Sequence, residues 1–189
     1  MKRQRFQYLT TEQKQTFLRF LKVRMDAVRS YVMYDLMLNT GLRLDEMRRL
    51  NVGHVQGRQM LEVMGKGSKV REIPLNKAIM AHIEAFLRWK RKNGEPCLPD
   101  SPLFVSRVGR RISARAVQRD FAKWVKAAGI EGHFTPHALR HTVGTELLNR
   151  SGNLRVVQVF LGHSDISTTQ IYTHVSREQI QQAADLLAV

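Results

Sequence analysis

Apolar residues recur at helical spacing through most of the chain, beginning with Phe17, Leu18 and Leu21 in "TTEQKQTFLRFL". Thr10 stands ahead of this run with Gln13 three residues on, the spacing of a capping box, so a first helix is expected to start there. Val28, Tyr31, Val32 and Leu36 form the inward stripe of a second helix, "DAVRSYVMYDLMLNTG", with Gly41 just past its end. A short third helix follows in "RLDEMRRL". The period then drops to two. Met60, Glu62 and Met64 alternate with Leu61 and Val63, and beyond a Gly-Lys-Gly-Ser turn the strand resumes as "KVREIPL". That pattern predicts a β-hairpin with Lys66 at its tip.

Helical spacing returns after Asn76, an N-cap, with Ile79, Ile83, Phe86 and Leu87 as the apolar face. "EPCLPDSP" holds three of the chain's five prolines and reads as a connector. It leads to an expected short strand, "LFVSR", and a Ser113-capped helix ending before Gly129. Thr135 as N-cap and Pro136 at the first helical position open another helix. "NLRVVQVFLGHSD" predicts a helix stopping near Gly162, followed by a polar step and a short helix around "TTQIYTHV". Ser176 and Gln179 have capping-box spacing ahead of the last segment, where Ile180, Ala183, Ala184 and Leu187 make a narrow apolar stripe. The expected fold is mainly α with one small antiparallel β-sheet (α+β). A short basic segment over 1–9 precedes one domain over 10–189, without internal repeats.

Charge narrows the class of partner. Lys and Arg number 31 against 16 Asp and Glu, a formal net charge of +15 that favours a polyanion, above all nucleic acid. Cys97 is the only cysteine, which excludes an internal disulfide and a cysteine-built metal cage. No stretch reaches the roughly 18 apolar residues of a membrane span, and "MKRQRFQYLT" lacks the apolar run of a secretion signal. An intracellular, DNA-associated protein is expected.

The candidate chemistry starts in "HFTPHALRHTVG". His137, Arg140 and His141 lie at i, i+3 and i+4, one face of the first turns of a helix, where free N–H groups and the helix dipole attract anions. Two histidines four apart also suit zinc, but Ala138 stands where the metalloprotease pattern has glutamate, and Arg140 between them repels a cation. On this window alone, an anion site and an exposed polar helix start are equally good readings. Elsewhere, Arg43 follows shortly after the helix-ending Gly41, with Glu46 three residues on and able to orient it. His163 follows the helix-ending Gly162, and Tyr172 comes nine residues later. A tyrosine in isolation is usually a core or interface residue.

In order, the chain contains "TGLRLDE", "GKGSK", "HALRH", "LGH" and "IYTHV". With these five motifs, from about Thr10 to the end, it resembles the tyrosine recombinase family of phage integrases and Xer-type recombinases. The resemblance implies a tyrosine recombinase catalytic core, a DNA breaking-rejoining enzyme. It assigns Tyr172 as nucleophile forming a 3′-phosphotyrosyl link, with Arg43 and Arg140 as clamps on the phosphate. Lys66 becomes the acid that protonates the leaving 5′-oxygen; Lys69 competes for that role on position alone. His137 becomes the proton acceptor for Tyr172, His163 a donor to the phosphate, and Glu46 and His141 supports behind them. Neither ATP, cofactor nor metal is implied, because the covalent link conserves the phosphodiester energy.

The implied partner is double-stranded DNA, bound by a homo-tetramer with the C-terminal helix exchanged between protomers. Family members usually carry a separate N-terminal helical domain over the other face of the DNA; none is expected in this sequence. Two other readings share the features: a type IB topoisomerase that nicks and reseals one duplex, and a catalytically silent DNA-binding module. His54, His82, His133 and His174 match no catalytic position.

Overall fold

The computed structural model describes residues 7–64, 70–162 and 177–187. In chain order the helices are α1 (Thr11–Lys22), α2 (Val28–Thr40) and α3 (Leu44–Arg48), then α4 (Lys77–Lys92), α5 (Ala114–Ala127), α6 (Pro136–Ser151), α7 (Leu154–Leu161) and α8 (Arg177–Asp185). Between α3 and α4 lies a two-stranded antiparallel sheet, β1 (Met60–Met64) with β2 (Val70–Pro74). The mainly helical fold with one small sheet is the one the pattern predicts.

Local signals account for most boundaries. Thr10 and Gln13 make both bonds of the capping box, Gln13 N–H to Thr10 Oγ1 at 3.2 Å and Thr10 N–H to Gln13 Oε1 at 3.0 Å. Asn76 and Ser113 accept from Ile79 N–H and Ala116 N–H. Thr135 occupies the N-cap of α6 with extended backbone, yet its side chain makes no capping bond; Pro136 at the first position carries that start.

Two elements differ from expectation. The second helix is preceded by a 3₁₀ turn, Met25–Ala27, and is not one-faced. From Val32 to Thr40 every residue is buried, because α1, α4 and α6 all pack around it. A helix surrounded by helices shows no amphipathic period over its enclosed part. The expected strand "LFVSR" is absent. Val105 makes a single bridge, to Arg111, since the turn closed by Ser106 N–H to Arg110 O returns the chain at once. Leu103, Phe104 and Val105 are buried without a strand partner beyond that bridge.

The tail helix lies against its own chain. Ala183, Ala184 and Leu187 are buried, and α8 packs on α7 and β2. Carbonyls at its end and in the turn that follows meet three donors: Asn76 Nδ2 to Ala184 O at 3.1 Å, Lys14 Nζ to Leu187 O at 3.3 Å, and the Arg150 guanidinium to Leu186 O. Cations and amides at a helix C-terminus satisfy the carbonyls that have no partner within the helix.

Candidate active site

The end of α2 organises the site. Gly41 adopts φ +62°, and a Cβ there would stand 2.4 Å from Leu161 Cδ2, so only glycine lets α2 finish against α7. Its carbonyl accepts from Arg140 Nη1 at 2.7 Å, while Arg140 Nη2 donates to Leu161 O, also at 2.7 Å. Both acceptors sit at helix C-termini, the negative ends of the helix dipoles. That is how a guanidinium only 5% exposed is tolerated here. Burial, then the neighbouring charges of Arg43 and Arg71, push its pKa down to about 10, against the pull of Glu46; it remains a cation at neutral pH.

Leu42 and Arg43 carry the chain from Gly41 into α3, and Arg43 is the N-cap. Glu46, one turn on, reaches back: its Oε2 accepts from Arg43 N–H at 2.7 Å and its Oε1 from Arg43 Nη1 at 2.9 Å. Arg43 and Glu46 are thus joined by two hydrogen bonds. Arg71, on β2, adds two further bonds, Nη1 to Oε1 and Nη2 to Oε2, each 2.9 Å. Burial raises the pKa of Glu46, but bonds and charges from Arg71 and Arg43 outweigh it and hold the carboxyl down at about 2.

His137 projects from the first turn of α6 and is exposed, with the half-buried His141 ring edge-on to it, centroids 4.6 Å apart. A cleft of about 200 Å³ is lined by Leu42, Arg43, Leu44, Gln118, Thr135, Pro136, His137 and Arg140. The structure therefore gathers Arg43, His137 and Arg140 at one opening, with Glu46 behind Arg43 and His141 beside His137. Lys66, His163 and Tyr172 lie outside the described residues, as does the expected helix around "TTQIYTHV".

Arg71 and Gln118 were not singled out from the sequence. For Arg71 a signal existed. Pairing sets Arg71 opposite Val63 and Ile73 opposite Leu61, so Arg71 is in phase with the inward-facing residues of the hairpin. Nothing in the sequence distinguishes Gln118 from the other exposed polar residues of α5.

Residues 7–179 match the phage integrase family. The chain belongs to that family. Among similar family members, the tyrosine recombinase XerC of Vibrio campbellii is 44% identical over 161 residues, 84% of this chain and 50% of the relative. XerC of Escherichia coli is 42% identical over 160 residues, 84% of this chain and 53% of its own length. The chain thus spans about half the length of these curated relatives. Among solved structures, XerA recombinase superposes with a TM-score of 0.74 at 26% identity, over 93% of this chain and 62% of that one. XerH bound to its difH substrate before cleavage gives 0.72 at 25% identity, over 94% and 53%. The integrase-family fold explains why Arg43, from the turn after α2, and Arg140, nearly a hundred residues later, open on one cleft.

Proposed function

We propose that this integrase-family chain is a site-specific DNA recombinase, residues 10–189 forming its catalytic domain. The observation that carries the reading is the shared cleft of Arg43, His137 and Arg140, in a chain whose "LGH" motif precedes Tyr172 by nine residues. Two guanidinium groups lining one cleft suit the non-bridging oxygens of a phosphodiester, whose charge grows in the transition state.

In the proposed reaction, Tyr172 Oη attacks phosphorus and passes its proton to His137. A bond from Tyr172 to the 3′-phosphate forms as the bond to the 5′-oxygen breaks, and Lys66 protonates that oxygen. His163 donates to a phosphate oxygen. The phosphotyrosyl link keeps the energy of the broken bond, so a 5′-hydroxyl from another strand reverses the step without ATP or metal. Double-stranded DNA is the partner: the net charge of +15 complements it, and the similar XerH recombinase is bound to a difH substrate. On DNA we propose a homo-tetramer in which α8 leaves its cis seat for a neighbour. The fully buried part of α8 and the turn after it is small, two alanines and Leu187, which limits the cost of that exchange. Among the described residues no helix is long and apolar enough to cross a membrane.

The test uses nicked suicide duplexes, one set carrying the sequences that flank the chain's own gene and one the difH site, resolved on a denaturing gel. The wild type is expected to form a covalent protein–DNA adduct at a 3′-phosphate, and Tyr172→Phe to bind equally and form none. Adduct from Tyr172→Phe would remove Tyr172 as nucleophile. Holliday junctions from paired sites separate recombination from simple nicking and resealing.

A further inference from the structure

We propose that Arg71 is a positioning residue for the cleavage reaction, acting through Glu46 to keep Arg43 directed at the phosphate; this rests on the recombinase reading above. Glu46 is a single carboxylate between two arginines. It accepts four hydrogen bonds, two from Arg43 and two from Arg71, which fills the lone pairs of both oxygens. Among the described residues, Arg43 spends only its backbone N–H and Nη1 on Glu46, and 40% of its side chain stays exposed. Without Arg71, two acceptor positions of Glu46 fall vacant beside a guanidinium. Glu46 would then take Arg43 in a two-pronged clamp and leave a neutral pair at the cleft. With Arg71 in place the trio is a net cation, and Arg43 keeps a free edge.

Two observations set Arg71 apart from an ordinary structural ion pair. Its side chain is 12% exposed, at a strand position in phase with Ile73, where an apolar residue would serve stability as well or better. Among the described residues its buried Nε has no acceptor, an unfavourable feature for a residue that only packs. Its stem also lies against the turn that leads into "LGH". A Cβ on Gly162, at φ +65°, would stand 2.5 Å from Arg71 Cδ. One side chain thus touches the Glu46 of the "TGLRLDE" motif and the glycine of "LGH", from the strand that follows "GKGSK".

The test compares Arg71→Met, Arg71→Lys, Glu46→Gln and the double variants in the full chain, on the same suicide duplexes. Adduct formation is expected to slow about 10- to 100-fold in Arg71→Met, the range a small misplacement of a reacting group produces. DNA affinity by fluorescence anisotropy should stay within about twofold of wild type. Arg71→Lys restores the charge but not the fork and should recover only part of the rate. It also provides the reading if Arg71→Met does not fold. Glu46→Gln combined with an Arg71 variant should be no slower than the slower single change, since both act on Arg43 by one route. A 5′-bridging phosphorothioate, which needs no general acid, should not restore the Arg71 variants.

A rate within about threefold of wild type in both Arg71 variants, additive losses with Glu46→Gln, or full rescue by the sulfur leaving group would each overturn the proposal. No adduct from the wild type is a different failure: it removes the recombinase reading itself, and the positioning role with it.

Discussion

Arg140 spends one N–H from each of its terminal nitrogens on a helix-ending carbonyl, Gly41 O and Leu161 O. A planar fork can hold both and still present its other N–H groups to a phosphate. A lysine ammonium, with three donors on one atom, cannot span them. Arg140→Lys is therefore expected to lower the single-turnover rate of adduct formation by about 10²–10³, the usual effect of losing one donor to a developing oxyanion. A fall below about tenfold, measured on the suicide duplex, would mean that Arg140 only joins two helix ends.

Among the elements, α8 is the one whose placement answers a question its sequence left open. The stripe Ile180, Ala183, Ala184, Leu187 by itself slightly favours packing in cis, while the family resemblance implies docking on a neighbour. In the structure Ala183, Ala184 and Leu187 are buried in the protein's own core, and Asn76, Lys14 and Arg150 hold the last carbonyls. Lys14 is fully buried and also pairs with Glu146 at 2.8 Å, so it keeps a partner if α8 departs. Deleting residues 178–189 should therefore destabilise the fold without unfolding it. Loss of the buried Leu187 and two alanines removes about 2–4 kcal/mol. For a domain of this size that lowers the thermal midpoint by about 5–15 °C. The same deletion should spare adduct formation and weaken Holliday-junction formation. An unchanged midpoint by calorimetry would show that α8 is not seated on its own chain in solution.

Stability of the molecule as a whole carries the imprint of Glu46. Its carboxyl has a pKa of about 2 when folded against an ordinary 4.5, so the folded state binds fewer protons than the unfolded chain between those values. The stabilisation from this group is complete above about pH 4.5 and is lost as pH falls through 4.5 toward 2. Glu46→Gln should lower the thermal midpoint most at neutral pH, and the gap to wild type should narrow steadily below pH 4.5. A gap independent of pH in thermal melts would show that the ionised carboxylate contributes nothing to holding Arg43 and Arg71.

What the linear chain determines is whatever depends on near neighbours. The capping box at Thr10, the caps at Asn76 and Ser113, the glycine ends at Gly41 and Gly162, and the hairpin alternation are short-range, and each is found where the pattern puts it. Arg43 and Glu46 are three apart, so their pairing is local too. Motif order then sufficed to group Arg43, His137 and Arg140, although no local rule brings residues nearly a hundred apart together. Tertiary structure decided the rest. Whether "LFVSR" becomes a strand depends on a partner strand, which the fold does not supply. The burial of α2 on every side depends on three helices from elsewhere in the chain. Arg71 becomes part of the site only because strand register turns it inward, between Glu46 of α3 and Gly162 after α7. The strand phase of Arg71 is legible in the chain, but its meeting with Glu46 and Gly162 is set by packing between distant segments.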